Sequence, residues 1–206
     1  MLRSVNIGAR LFISSVEEAV WKLFSYLSSR GRAVYNDAPM QVVGRIGRFD
    51  FGLFIGPRYG ILTVRCNSCS CEEVAEEFER VRALMKASPT LIRAEASEEL
   101  DSDAVKCSDV FRELGIKMLR EVRLTPNDIP VEVLHGEIKL PGVGVVTVTI
   151  SGYTGSENYR LSVALTSPPK FSVKLLAREA CSILDEFSKL LKNARCTREA
   201  QPLRHT

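Results

Sequence analysis

Residues 36–43 read Asn-Asp-Ala-Pro-Met-Gln-Val-Val, and residues 127–134 read Asn-Asp-Ile-Pro-Val-Glu-Val-Leu. Asn and Asp favour turns because their side chains bond their own backbone. Pro suits the first residue of a strand because it fixes φ and donates no hydrogen bond. Each copy therefore predicts a turn that begins a strand. Matches upstream and downstream keep nearly the same spacing, so the sequence predicts an internal duplication.

Hydrophobic periodicity predicts the elements of the first copy. Residues 4–12 alternate between apolar and polar side chains, which predicts a half-buried strand. Ser14 and Glu17 form a capping-box pattern ahead of a helical repeat of apolar residues, and Ser70 begins a second such pattern. Strands are predicted between these helices at 40–47, 51–56 and 60–66.

The second copy is predicted in the same order. A short strand at 91–96 is followed by an acidic turn from Glu98 to Asp103 and by a helix around 105–120. Three strands and a long final helix follow, at 131–140, 143–151, 159–166 and about 171–192.

These elements predict an α+β protein built from two modules, each a curved antiparallel sheet backed by helices. The first module spans residues 1–88 and the second spans 89–192. Residues 193–206 are polar and predicted to be a flexible tail.

Composition excludes the extreme classes of protein. The chain has 206 residues, 45% of them hydrophobic, and a formal net charge of +3 from 28 basic and 25 acidic residues. A strongly basic nucleic-acid-binding domain would carry more charge, although so mild a value does not forbid such binding. No apolar run reaches the roughly 18 residues that cross a bilayer, and the first residues do not resemble a signal peptide. We therefore expect no membrane partner and a cytoplasmic location.

The six cysteines include one tight cluster, at Cys66, Cys69 and Cys71. A structural zinc site usually needs four ligands, and no second Cys pair or His pair accompanies this cluster. We therefore expect neither a metal nor a cofactor, and interpret the cluster as a strand end and a helix start that use small, weakly polar residues.

The sequence shows no catalytic pattern. His135 lies in a predicted strand without an identifiable partner, and Gly142 and Gly144 lack the strand and helix that a dinucleotide fingerprint needs. Carboxylate pairs such as Glu72 and Glu73 lie at solvated helix starts, where they complement the helix dipole. We therefore expect a protein that is not an enzyme.

The first module resembles one repeat of the TATA-box-binding protein family, in which two repeats form a saddle. The family opens each repeat with a strand similar to Val5-Asn6-Ile7-Gly8-Ala9-Arg10. Its next strands are similar to the segments at 35–46 and 53–65. The resemblance covers most of residues 4–85, and it is weaker in the second module.

The resemblance implies that the concave face of the sheet binds nucleic acid, with transcription as the expected context. The family also kinks DNA with Phe wedges. The matching positions here are Ala38, Ile55, Ile129 and about Thr147, none of them aromatic. Glu95 shares a face with Arg93, and a carboxylate there is unfavourable near phosphates. The candidate nucleic-acid contacts are Asn6, Arg10, Arg45, Leu62, Val64 and Arg160.

Two other functions stay open. The same saddle is compatible with a protein-interaction or assembly factor, whose face would be mixed in charge or apolar. A long helix over a curved sheet is also compatible with a helix-grip pocket for an apolar ligand. The partner is thus a nucleic acid or a protein, and the oligomeric state is left open.

Overall fold

The computed structural model describes residues 3–101, 111, 115–117, 119–124, 129–142, 144–153 and 158–193. Ten strands and three helices lie in this part of the chain. In chain order they are β1 (Ser4–Phe12), α1 (Val16–Ser28), β2 (Arg32–Asp37), β3 (Met40–Ile46), β4 (Phe49–Ile55), β5 (Gly60–Asn67), α2 (Cys71–Leu84), β6 (Ser88–Asp101), β7 (Leu119–Leu124), β8 (Pro130–Leu140), β9 (Gly144–Tyr153), β10 (Asn158–Ser167) and α3 (Val173–Asn193).

All ten strands form one curved antiparallel sheet. Their order is β2-β3-β4-β5-β1-β6-β10-β9-β8-β7. From the β2 edge inward the order is β2-β3-β4-β5-β1, and from the β7 edge inward it is β7-β8-β9-β10-β6. Strands β1 and β6 pair at the centre, with Asn6 opposite Glu95.

The described helices all pack on one face of the sheet. Helix α1 contacts β2 and β3, α2 contacts β1 and β5, and α3 contacts β6 and β10. Alternate residues of β1, such as Ile7, are fully buried in a core with Leu23 of α1, Phe78 of α2 and Leu176 of α3. The other β1 residues, with their cross-strand neighbours, form the opposite surface, which we call the open face.

Local sequence accounts for several boundaries. At the start of α2 the Ser70 hydroxyl accepts a hydrogen bond from the Glu73 amide at 3.2 Å, and the Glu73 carboxylate accepts one from the Ser70 amide at 2.8 Å. The predicted capping box is therefore confirmed there. At α1 the N-cap is Ser15 rather than Ser14, and its side chain makes no capping bond. The helix therefore begins one residue later than its sequence pattern predicts.

The structure corrects the strand count. Strands β2 and β7 were not predicted, so β2–β5 and β7–β10 are each a set of four strands rather than three. Their short, mostly exposed edge positions give weak alternation, which explains the error. Most of the helix predicted around 105–120 lies outside the described residues, as does the tail from residue 194. Residues 119 and 120 belong to β7 instead.

Strand β6 is much longer than the predicted 91–96 segment, and Glu98 lies within it rather than in a turn. Its carboxylate is only 6% exposed, on the helix side of the sheet. Arg3 and Lys192 lie 3.8 and 3.5 Å from it. A buried carboxylate needs such partners, and these come from segments distant in sequence.

The cysteine cluster lies at the end of β5 and the start of α2, as its sequence pattern predicts. Cys66 forms a disulfide with Cys69, and Cys71 on α2 forms one with Cys181 on α3. All four side chains are buried. Their pairing could not be inferred from spacing, because Cys181 is remote in sequence. No described helix is long and apolar enough to cross a membrane.

Candidate functional site: a polar cavity on the open face

One row of side chains crosses the open face from the β2 edge to the centre. Cross-strand pairing places its members directly beside one another, so they share a face. From β2 to β6 the row is Arg32, Arg45, Asp50, Arg65, Asn6 and Glu95.

A small polar cavity lies where this row reaches the central strands. Its volume is about 110 Å³. Its lining comes from strands β1, β5, β6 and β10, and the lining residues in the described part of the chain are all polar: Ser4, Asn6, Arg65, Glu95, Ser97 and Arg160. The cavity therefore spans the junction between the two halves of the sheet.

The two arginines of the cavity make no ion pair with any described residue. Arg65 donates from Nε to the Ser4 hydroxyl at 3.3 Å. The Arg160 side chain has no hydrogen-bond or ion-pair partner in the described part of the chain. Arginine presents five donors in a planar fork, so both guanidinium groups retain donors for a ligand.

Glu95 is the acidic member of the cavity. Its Oε2 lies 3.4 Å from an Nη of Arg93, which stands two residues earlier on the same face. Within the described residues its Oε1 has no partner. The cavity can therefore supply a carboxylate acceptor together with guanidinium donors.

The structure brings Asn6 and Arg160 together at the cavity, and places Arg10 and Arg45 elsewhere on the open face. Arg10 stacks over the Tyr59 ring at 4.3 Å. Arg45 donates to the Gly47 carbonyl at 3.0 Å and lies 3.7 Å from Asp50.

Leu62 and Val64 do not lie on the open face. Both are fully buried, opposite Ala9 and Ile7 of β1 on the helix side. Their selection as nucleic-acid contacts was wrong, because the wrong face of β5 was chosen. The alternate residues of that strand, Thr63 and Arg65, face the open side. Side chains alternate between the two faces of a strand, so pairing β5 with β1 and placing it opposite Asn6 would have identified Arg65 as an open-face residue.

Two neighbouring residues of β4 lie at and beside one of the predicted wedge positions. Ile55 packs partly buried against the core, whereas its neighbour Phe54 is 41% exposed. Phe54 pairs with Gln41 and Ile61. It stands two residues after Gly52, which pairs with the open-face residue Thr63, so Phe54 also lies on the open face. An aromatic side chain is thus present there.

Two other cavities adjoin the sheet. The wider one, of about 500 Å³, shares Arg160 with the polar cavity and includes Ser151 and Tyr153. The other, of about 230 Å³, is mostly apolar and lies between α3 and the sheet, where Leu165, Phe171 and Ile183 line it. A helix-grip protein would hold its apolar ligand in a cavity of this kind, between the long helix and the sheet.

Among the described residues, no group of three or more His, Cys, Asp or Glu side chains is arranged to hold a metal ion. Fold and site define an α+β protein with a large curved antiparallel sheet, helices on one face and a polar cavity on the other.

Comparison with known proteins does not assign the chain to a family. No protein-family model matches the chain, and no curated protein matches it. Among solved structures, the chain is weakly similar to the di-domain ARO/CYC StfQ from the steffimycin biosynthetic pathway. The identity is 11% and the TM-score 0.22, over 91% of this chain and 96% of that chain. A TM-score this low carries no argument about fold or function.

Proposed function

We propose that the chain is a non-enzymatic nucleic-acid-binding protein that uses the open face of its sheet. The observation that carries this proposal is the set of arginines Arg10, Arg65 and Arg160, which face the open side without ion-pair partners among the described residues. Guanidinium groups on an uncovered sheet face supply the phosphate contacts on which sequence-independent affinity depends.

The charges along this row indicate which half of the open face contacts the phosphates of a bound strand. The part of the row on β2 to β5 holds three arginines and one aspartate, whereas Glu95 begins the part beyond β1. The remaining row positions are Ala164, Thr147 and Glu137. Phosphates therefore bind over the β2–β5 half, since the next row positions beyond Glu95, Ala164 and Thr147, are only 2% and 9% exposed.

The proposal includes an internal duplication of the saddle type, as the sequence resemblance implies. Counted inward from either edge, the strands of the two halves follow in the same order, which supports the duplication. The central pairing of β1 with β6, the first strand of each half, supports it as well. The polar cavity lies at this junction between the two halves.

Fluorescence anisotropy tests the function directly. Labelled single strands and short duplexes are titrated with protein at several salt concentrations. Arg65→Ala and Arg160→Ala should each weaken binding and lower the salt slope by about one unit per contact. Arg178→Ala is the matched control, because Arg178 is exposed on α3 on the helix side. Absence of binding at low salt, or equal effects of all three changes, would contradict the proposal.

A second candidate function, protein interaction, is favoured by an exposed apolar row on the same face. Phe54, Ile61 and Leu91 are 41%, 37% and 38% exposed. They belong to β4, β5 and β6, with Arg10 of β1 between the last two. Interfaces use such a core of apolar and aromatic side chains with arginine beside it.

Photo-cross-linking separates the two functions. A photoreactive amino acid replaces Ile61, and a matched one replaces the exposed Leu190 on α3. A protein partner should cross-link from position 61 alone, and the purified partner should then bind wild-type protein but not Phe54→Asp. A chain that binds nucleic acid instead should cross-link to the oligonucleotide from position 61.

A further inference from the structure

The polar cavity combines donors and acceptors in a way that a phosphate group alone does not use. Arg65 and Arg160 supply guanidinium donors, and Glu95 supplies an acceptor with one oxygen unpartnered among the described residues. A phosphate would meet the Glu95 carboxylate with like charge, which is unfavourable in a confined site. The occupant that satisfies the whole lining must itself present both hydrogen-bond donors and acceptors.

Guanine meets this requirement better than the other bases. Its O6 and N7 are adjacent acceptors that a guanidinium binds with two parallel hydrogen bonds. Its N1–H and 2-amino group are adjacent donors on the neighbouring edge, and a carboxylate accepts from both. Asn6 can donate or accept at either edge. The other bases lack a pair of adjacent donors of this kind.

We propose that the cavity binds one unpaired guanine base of a single-stranded nucleic acid. This inference rests on the proposed function and deepens it by naming the base. Guanine lies with its 2-amino edge toward Glu95 and its O6 edge toward Arg65 or Arg160. Sequence-specific recognition of single strands works through such hydrogen bonds to the edges of unstacked bases.

The neighbouring wide cavity fits the next nucleotide of the same strand. It shares Arg160 with the polar cavity, and Tyr153 at its wall is 56% exposed. Aromatic side chains stack bases without regard to sequence. The chain thus offers one base-reading cavity beside a less selective surface.

The test uses a short labelled oligothymidylate whose central base is replaced by guanine, adenine, cytosine or hypoxanthine. Wild-type protein should bind the guanine oligonucleotide roughly tenfold more tightly than the adenine or cytosine oligonucleotide, as expected for one good bidentate contact. Hypoxanthine, which lacks the 2-amino group, should bind with intermediate affinity. This comparison needs no variant, so it does not depend on the folding of a mutant.

Variants then assign the preference to the cavity. Glu95→Gln should remove the part of the guanine preference that depends on the 2-amino group, so that the guanine and hypoxanthine oligonucleotides bind alike. Glu137→Gln is the control, since Glu137 lies in the same open-face row beyond the cavity. Guanosine monophosphate, titrated separately by calorimetry, probes the cavity without the rest of the strand.

The outcomes separate the cavity from the proposed function. Tight binding of every oligonucleotide with no base preference would overturn the guanine site and leave nucleic-acid binding intact. Binding of guanosine monophosphate that is lost in Glu95→Gln, with no oligonucleotide bound, would support the cavity and overturn the proposed function. Absence of all binding would overturn both.

Discussion

Asn6 of β1 and Glu95 of β6 are directly paired at the centre of the ten-stranded sheet. Both side chains line the polar cavity on the open face. One comes from the first strand of the chain and the other from a strand that follows α2. The pairing therefore places an amide and a carboxylate at the junction of the two halves, where either half alone would offer an incomplete site.

The two disulfides should differ in their effect on stability. Cys71 and Cys181 are 110 residues apart, whereas Cys66 and Cys69 are three apart. Loop-closure entropy grows with loop length, so Cys181→Ser should cost roughly 5 kcal/mol and Cys69→Ser roughly 2 kcal/mol. Urea unfolding without reductant measures both. In strong reductant the two variants should approach the wild type, and equal losses before reduction would contradict the prediction.

Tyr26 of α1 should stabilise the contact between α1 and α2. Its hydroxyl donates to Glu77 at 2.7 Å, and Glu77, which also pairs with Arg80, is only 7% exposed. Tyr26→Phe removes one partner of a buried carboxylate and should cost about 1–2 kcal/mol. Tyr153→Phe, at an exposed ring, is the control in the same urea titration. Equal midpoints for the two variants would show that the hydroxyl contributes nothing.

The same tyrosine should make stability depend on alkaline pH. Burial, and then the hydrogen bond to Glu77, raise the pKa of Tyr26 above its ordinary value of 10.0. The unfolded chain therefore loses this proton first. This contribution is fully present below pH 10.0 and is lost as pH rises from there through the folded-state pKa. Urea midpoints across this range should fall less steeply in Tyr26→Phe than in wild type.

Phe54 should contribute to single-strand binding by stacking. Its ring is exposed on the open face, and a stacked base is worth about 1–3 kcal/mol. Phe54→Leu keeps an apolar side chain but removes the ring, so it should weaken anisotropy-detected binding by that amount across sequences. Ile61→Ala, at the neighbouring aliphatic position, should have a smaller effect. A larger loss at Ile61 than at Phe54 would indicate simple apolar contact.

Duplex DNA should bend only slightly when bound. Ala38 lies in the turn between β2 and β3, Ile55 is partly buried, and Thr147 is 9% exposed. Phe54 is the one aromatic found at or beside the four wedge positions, whereas the family that the sequence resembles kinks its site by roughly 80°. Energy transfer between dyes at the duplex ends measures the bend. A large kink that disappears in Phe54→Ala would show that this single ring suffices as a wedge.

The sequence alone predicted those elements whose pattern is local. Alternation in residues 4–12 identified β1 and the side that Asn6 and Arg10 share. Apolar spacing identified α2 and α3, and the capping box at Ser70 identified where α2 begins. These signals lie within one element, since a helix or strand buries one face at its own period. The edge strands β2 and β7 escaped because their exposed positions carry little of that pattern.

Only the tertiary structure decided what depends on pairing between distant segments. Strand register placed Arg65 beside Asn6, and moved Leu62 and Val64 to the core, since a shift of one residue reverses every side chain of a strand. The long-range pairing of Cys71 with Cys181 and the burial of Glu98 between Arg3 and Lys192 have the same origin. The periodicity of a single segment reports which of its residues are apolar. Which residue each of them contacts depends on how the strands pair across the sheet, including the central pairing of β1 with β6.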